Sequence, residues 1–239
     1  MQSEIEVMYC VLGKPELRQY MLKSLESLRH NGYRGPASVL TDLGREGWAA
    51  REMLDYTVRS IQAGAGCERF GGKTVIDQYA SAERTLVLDC DTIAVAPLDG
   101  IWGQLDDAEV ALCRDILPTV WQAAVNDLIH KPSNSPADIK ETIDVCGTDA
   151  DYFNSGVLAF RRSETTRRLF RSWHAEWAKY KRSNQYALVR AMRSERVVPR
   201  VLPGEYNANA FQYRDRAAAR MQGVRILHFF CGPQAMLSF

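Results

Sequence analysis

Asp89 and Asp91 stand one residue apart at the end of the apolar run Leu86–Leu88, in the stretch "TLVLDCDTIAV". Carboxylates so placed repel each other unless a positive charge sits between them. Their hard oxygen donors suit an octahedral Mg²⁺ or Mn²⁺ whose other positions go to phosphate oxygens and water. The alternative is an Asp-rich turn that merely follows a strand.

The elements around the pair must put it somewhere useful. "IEVMYCVLG" reads as a buried strand, and "KPELRQYMLKSLESLRHNG" as an amphipathic helix with Leu17, Met21, Leu25 and Leu28 at three- and four-residue steps. "ASVLTD" and "LDYTVRSI" are further strands, Lys73–Ala82 a short helix, "RTLVLDCD" and "EVALCRD" strands again. "YFNSGVLAFRR" returns to strand before a helix over Ser163–Lys181, and "RVVPRVLP" and "VRILHFF" are late strands. This alternation predicts a single α/β domain over 1–239, with a mixed, mostly parallel central sheet flanked by helices. Ligands of such sheets bind at the carboxyl ends of strands, where Asp89 and Asp91 fall. Residues 116–151, broken by Pro118, Pro132 and Pro136, read as an irregular insertion, either a wall or lid over a site or a purely structural one.

Bulk composition narrows the partners. The chain has 239 residues, a net charge of +1 and 46% hydrophobic residues, enough for a real core and no reason to expect nucleic acid. A basic tract from Arg161 to Arg182 is interleaved with Leu169, Phe170, Trp173, Trp177 and Tyr180 at helical spacing, so a core face with solvated charges outside it is expected. Six cysteines without zinc-like spacing favour a reducing, cytoplasmic setting. Neither a signal peptide nor a membrane-spanning run is read.

Two enzyme classes share the Asp-x-Asp spacing: aspartyl phosphatases and nucleotide-sugar glycosyltransferases. The first places its pair near the N-terminus with Thr or Val two residues after it, whereas here the pair starts at position 89 and Ile93 follows. Five ordered blocks favour the second. "LVLDCDTIAV…PLDGIW" resembles the "LYLDADTIV…LDELF" segment of glycosyltransferase family 8, and "YFNSGVLAF" its "YFNSGVLLI". "NQYAL" resembles its "DQDAL", "LPGEYN" its "LP.xWN" and "ILHFFCG" its "IIHFxG". The resemblance implies a GT-A (Rossmann-like) fold and transfer of a hexose from a nucleotide-diphosphate sugar, UDP-linked as is usual there, with retention at the anomeric carbon.

The same resemblance implies roles. Asp89, Asp91 and His228 would hold the metal, Mn²⁺ in preference to Mg²⁺ given the imidazole. Lys73, sixteen residues before Asp89, matches a donor-binding lysine of the family. Asp115 matches an aspartate on the transferred sugar, Asn154, Ser155 and Gly156 the adjoining wall, Gly232 the end of the last block. Gln185 matches the glutamine beside the reacting carbon, so Gln185, Asp115 and Asn154 are the expected catalytic set. An amide is a poor nucleophile, which points to front-side attack rather than double displacement. The acceptor, a carbohydrate, lipid or protein, is not specified.

Three departures stand out. Asn184 replaces the family's first carboxylate in "DQD". Gln234, six residues after His228, replaces a lysine, for which Lys73 or Arg69 could substitute. The first strand offers only Tyr9 and, later, Tyr20 to grip the base. A non-catalytic nucleotide-sugar or carbohydrate-binding module on the same scaffold is therefore the alternative from another class.

Overall fold

A computed structural model describes residues 4–44, 48, 55–62, 69–130, 135–230 and 232–239. In order, β1 (Ile5–Val11) leads to α1 (Leu17–His30), β2 (Ala37–Thr41) and β3 (Thr57–Ser60). A 3₁₀ helix (Arg69–Gln78) precedes β4 (Arg84–Leu88) and β5 (Thr92–Ala94), and α2 (Asp99–Trp102) leads to β6 (Val110–Thr119). Then come α3 (Val120–His130), α4 (Pro136–Cys146), β7 (Asp151–Arg161), α5 (Glu164–Tyr180) and α6 (Asn184–Glu195). Short elements finish the chain: β8 (Arg200–Val201), β9 (Ala208–Asn209), α7 (Arg216–Met221), β10 (Ile226–His228) and α8 (Pro233–Ser238).

Seven strands form the main sheet in the order β3-β2-β1-β4-β7-β6-β8. The β1–β2, β1–β4, β2–β3 and β6–β8 pairs are parallel, while β7 runs antiparallel to β4 and β6. A second sheet, β5-β10-β9, stands beside it. The expected mixed, mostly parallel sheet is what forms. Helices cover both faces because the strands are apolar on both sides. Val7, Tyr9 and Val11 pack with α1, β5 and β10, whereas Met8 joins the opposite core with α3, α5 and α6. Trp173, fully buried on α5, donates its indole N–H to Asn184 O at 2.7 Å and so fixes the start of α6.

Several elements differ from expectation. The described residues within 116–151 are mostly regular: β6 runs on to Thr119 and two helices follow. Pro136 opens α4 rather than breaking it, at the first helical position after Ser135, whose hydroxyl accepts from Asp138 N. The helix expected at Lys73–Ala82 is 3₁₀ and starts earlier, with Thr74 Oγ1 donating to Gly71 O at 2.6 Å. "RVVPRVLP" supplies only the two residues of β8, flanked by Pro199 and Pro203.

Leu169, Phe170, Trp173 and Trp177 are buried on α5 and its arginines face outward, as the spacing predicted. Cys10, Cys90, Cys113 and Cys146 are free thiols, whereas Cys67 and Cys231 lie outside the described residues. Among the described residues no helix is long and apolar enough to cross a membrane.

Candidate active site

The site lies at the carboxyl ends of β1 and β4, in a cavity of about 580 Å³. Asp89 follows β4 directly and its N–H donates to Gly156 O on the antiparallel β7 at 2.8 Å. Thr92 Oγ1 donates to Asp89 O at 2.8 Å and turns the chain into β5. β10 pairs with β5 so that His228 stands opposite Thr92, and Phe229 N donates to Asp91 O at 2.9 Å. Strand pairing therefore delivers both carboxylates and the imidazole to one point.

His228 is 3% exposed. Its Nδ1 lies 2.8 Å from Asn207 Oδ1, an acceptor that engages this nitrogen and turns Nε2 toward the aspartates. Nε2 lies 3.2 Å from Asp91 Oδ1 and 3.8 Å from Asp89 Oδ2. One ligand atom from each of the three residues lies within 4.8 Å of the others. Two carboxylates and an imidazole converge here, a donor set that fits a divalent cation, with the second ring nitrogen engaged as is typical of metal-bound histidine. Gly156 leaves the space they occupy: a Cβ there would lie 2.2 Å from His228 Cε1 and 2.8 Å from Asp89 Oδ2.

Lys73, on the 3₁₀ helix, brings a positive charge into direct contact with Asp89. Its Nζ is 2.5 Å from Asp89 Oδ1 and donates to Ser155 O at 3.1 Å and Ser155 Oγ at 3.3 Å. The helix approaches closely because Gly72 leaves room; a Cβ there would sit 2.3 Å from Leu12 Cδ1. Cys90 lies between the aspartates, where burial and both carboxylates push its thiol well above the ordinary range. It stays protonated, its Sγ 3.5 Å from Cys10 O, and is no thiolate ligand.

A second cluster adjoins the first. Asp115 Oδ2 accepts from Asn154 Nδ2 at 3.0 Å and from Gln185 Nε2 at 3.2 Å, while its Oδ1 accepts from Leu117 N. Asn154 Oδ1 in turn accepts from Gly156 N at 2.8 Å, and Ser155 Oγ donates to Asn184 Oδ1 at 3.2 Å. Lys73, Asp89, Asp91, Asp115, Asn154, Ser155, Gly156, Asn184, Gln185 and His228 thus form one connected group. Gly232 stands apart from it: a Cβ there would meet Phe211, while its neighbours Phe230 and Pro233 line the cavity.

Other expectations need correction. Tyr9 and Tyr20 are buried in the α1-side core, Tyr9 sharing a 3.0 Å hydrogen bond with Ser24, so neither reaches the cavity. Leu12, Lys14 and Leu17 line that part instead, with the Phe230 ring tilted against His228 at 4.1 Å between ring centroids. Gln234 is exposed, and the side chain of Arg69 lies outside those described. Asn207, not singled out in the sequence, joins this group through His228; its only sequence signal is its place at the end of "LPGEYN".

No protein-family model matches the sequence, and no curated protein matches it. Solved structures do. The galactosyltransferase LgtC, determined with donor and acceptor sugar analogs, superposes with a TM-score of 0.65 at 14% identity, over 98% of this chain and 94% of that one. The bifunctional glycosyltransferase WbbM gives 0.64 at 14% identity over 96% of this chain, which spans only 46% of WbbM. Mouse xyloside xylosyltransferase 1 gives 0.58 at 14% identity, over 98% and 99%. The fold is therefore the GT-A fold of these glycosyltransferases.

Proposed function

We propose that the chain is a retaining, metal-dependent glycosyltransferase of family 8 type, moving a hexose from a UDP-linked donor to a carbohydrate, lipid or protein acceptor. The observation that carries this is the meeting of Asp89, Asp91, His228 and Lys73 at one end of a cavity at the strands' carboxyl ends. Asp89, Asp91 and His228 would hold Mn²⁺ or Mg²⁺, which when bound supplies Lewis-acid neutralisation of a diphosphate.

The chain's own groups account for the rest. Lys73 gives a buried cation for phosphate oxygens as the nucleoside diphosphate leaves. The apolar slot of Leu12, Leu17 and Phe230 suits the face of a base, with Lys14 at its edge. Asp115, held by two amide donors, remains an acceptor and orients sugar hydroxyls. Gln185 has its Nε2 engaged by Asp115, so its oxygen lone pairs are what it offers to positive charge developing at the anomeric carbon. No carboxylate nucleophile is needed for front-side attack. The acceptor hydroxyl bonds to the anomeric carbon on the face the phosphate leaves, and its proton passes to the departing phosphate oxygen.

A thermal-shift series with nucleotide diphosphates and nucleotide sugars, with and without Mn²⁺, tests the reading. Saturation at about 100-fold over Kd adds about 2.7 kcal/mol to stability. A Mn²⁺-dependent shift with a uridine nucleotide, lost in Asp91→Ala, is expected, and no shift with any nucleotide would sink the proposal. The non-catalytic binding module stays in view because Gln234 is exposed and Asn184 is an amide bonded to Ser155. Slow donor hydrolysis, abolished in Asp91→Ala, separates the enzyme from the module.

A further inference from the structure

Asn184 opens α6 and is fixed there by its backbone. Its carbonyl oxygen accepts the Trp173 indole N–H at 2.7 Å, and the helix is capped one residue earlier, where Ser183 accepts from Tyr186 N. Its side-chain Oδ1 accepts from Ser155 Oγ at 3.2 Å, with Asn184 6% and Ser155 2% exposed. Ser155 Oγ also accepts from Lys73 Nζ at 3.3 Å, beside the 3.1 Å bond from the same ammonium to Ser155 O. The third contact of Lys73 Nζ is Asp89 Oδ1 at 2.5 Å. An ammonium has three N–H groups, and these three acceptors hold them.

A serine hydroxyl has one proton. Given to Asn184 Oδ1, it leaves lone pairs for Lys73; turned the other way, it would present its positive end to a cation. The amide oxygen of Asn184 thus decides which end of the Ser155 hydroxyl the ammonium meets.

We propose that Asn184 is a positioning residue for Lys73, acting through the Ser155 hydroxyl, and not a group that touches the transferred sugar. Its place in the site selects this role. Lys73, Asn154 and Gln185 line the cavity, whereas Asn184 and Ser155 lie behind them. The Asn184 oxygen is already engaged, in a buried setting where breaking a hydrogen bond leaves a group unsatisfied. Its neutrality matters as well. A buried carboxylate at this position, one hydroxyl away from Lys73, would compete with Asp89 for the ammonium and offset the charge it shows to a diphosphate. The use of Lys73 at a diphosphate rests on the proposed transferase function; the positioning itself does not.

The probe is inorganic pyrophosphate with Mn²⁺, which carries neither base nor sugar. It is titrated calorimetrically into the full chain, Asn184→Ala, Asn184→Asp, Lys73→Met and the Asn184→Ala/Lys73→Met double variant. Asn184→Ala keeps the Trp173 bond and the Ser183 cap, so α6 starts as in the parent. Pyrophosphate affinity should fall about fivefold in Asn184→Ala, in keeping with one hydrogen bond. Asn184→Asp restores the acceptor yet should bind pyrophosphate no better than Asn184→Ala, because its charge offsets Lys73. In the Lys73→Met background the alanine substitution should change nothing further. Parental pyrophosphate affinity in Asn184→Ala, or an equal loss in both backgrounds, would overturn the positioning role. If the parent itself binds no pyrophosphate, the transferase reading falls, and urea midpoints of the same metal-free proteins decide the positioning alone. Non-additive midpoint shifts for Asn184→Ala and Lys73→Met are expected there, and additive ones would overturn it.

Discussion

Asn207 Oδ1 engages Nδ1 of His228 at 2.8 Å and so turns the other imidazole nitrogen onto Asp91, 3.2 Å away. The amide thus orients the ring so that Nε2 is the nitrogen turned to a cation site. Its own Nδ2 is buried without a partner, so the residue is held for its oxygen.

Asn207→Ala should therefore lower Mn²⁺ affinity about 10–100-fold, the usual cost of losing the group behind a metal-bound histidine. Asn207→Asp, which keeps an acceptor oxygen, should recover most of it. Calorimetric titration with Mn²⁺ reads both. Equal affinities in all three proteins would mean that His228 is not a ligand.

Lys73 is expected to act on the leaving phosphate. Lys73→Met removes a charge-assisted donor facing the cavity, and such losses cost about 10²–10³ in rate. In the metal-free protein the same change leaves Asp89 beside Asp91 with no cation between them. Stability should fall by about 1–2 kcal/mol, a modest figure because Asp89 is partly exposed. Donor-hydrolysis rates and metal-free melts check the two parts separately. An unchanged rate would remove Lys73 from the chemistry.

The grouping of the candidate site was legible because its residues cluster in short blocks: the aspartates in "LDCD", the neighbouring residues in "FNSG", the histidine in "ILHFF". Each block ends or borders a strand, so strand pairing brings the blocks together. Asn207 was not readable, because its bond to His228 bridges 21 positions and no local pattern marks it. Residues 116–151 misled for two physical reasons. In α3 the large apolar side chains Trp121, Val125, Leu128 and Ile129 are exposed while Asp127 is buried, so an apolar face read from the sequence points away from the core. Pro136 sits where proline starts a helix as readily as it stops one. Tyr9 misled through strand parity: in β1 it faces the α1 core, while its neighbour Cys10 faces the cavity.

Asp77 makes stability depend on pH. Burial is the main cause raising its carboxyl to about 6, opposed by backbone hydrogen bonds and, weakly, by Arg167 and Arg171; its Oδ1 is buried without a partner. The folded protein thus holds this proton more tightly than the unfolded chain does. The contribution is complete below the unfolded pKa near 4 and is lost as pH rises through 6. With allowance for partial exposure, Asp77→Asn should stabilise the protein by about 1–2 kcal/mol at pH 7 and leave pH 4 almost unchanged. Urea midpoints of the two proteins across pH 4–7 decide it: parallel curves would show that Asp77 titrates normally.

Arg190 joins the helix that carries Asn184 and Gln185 to the two helices beside it. It is 1% exposed, with Nη1 2.6 Å from Asp138 Oδ1 on α4 and Nε 2.7 Å from Glu176 Oε2 on α5, and it also hydrogen-bonds Thr142. Burial raises the Asp138 carboxyl even though Arg190 opposes the shift, so the guanidinium is what makes the charged form tolerable there. Arg190→Met strands Asp138 in an apolar surround, and the loss should be about 3–5 kcal/mol. Adding Asp138→Asn removes the stranded charge, so the double variant should be more stable than the single. Such non-additivity is the signature of a directly coupled pair. Urea midpoints at constant m-value measure it. If the second substitution destabilises further, the cost of Arg190→Met lies in packing around the guanidinium rather than in the buried carboxylate.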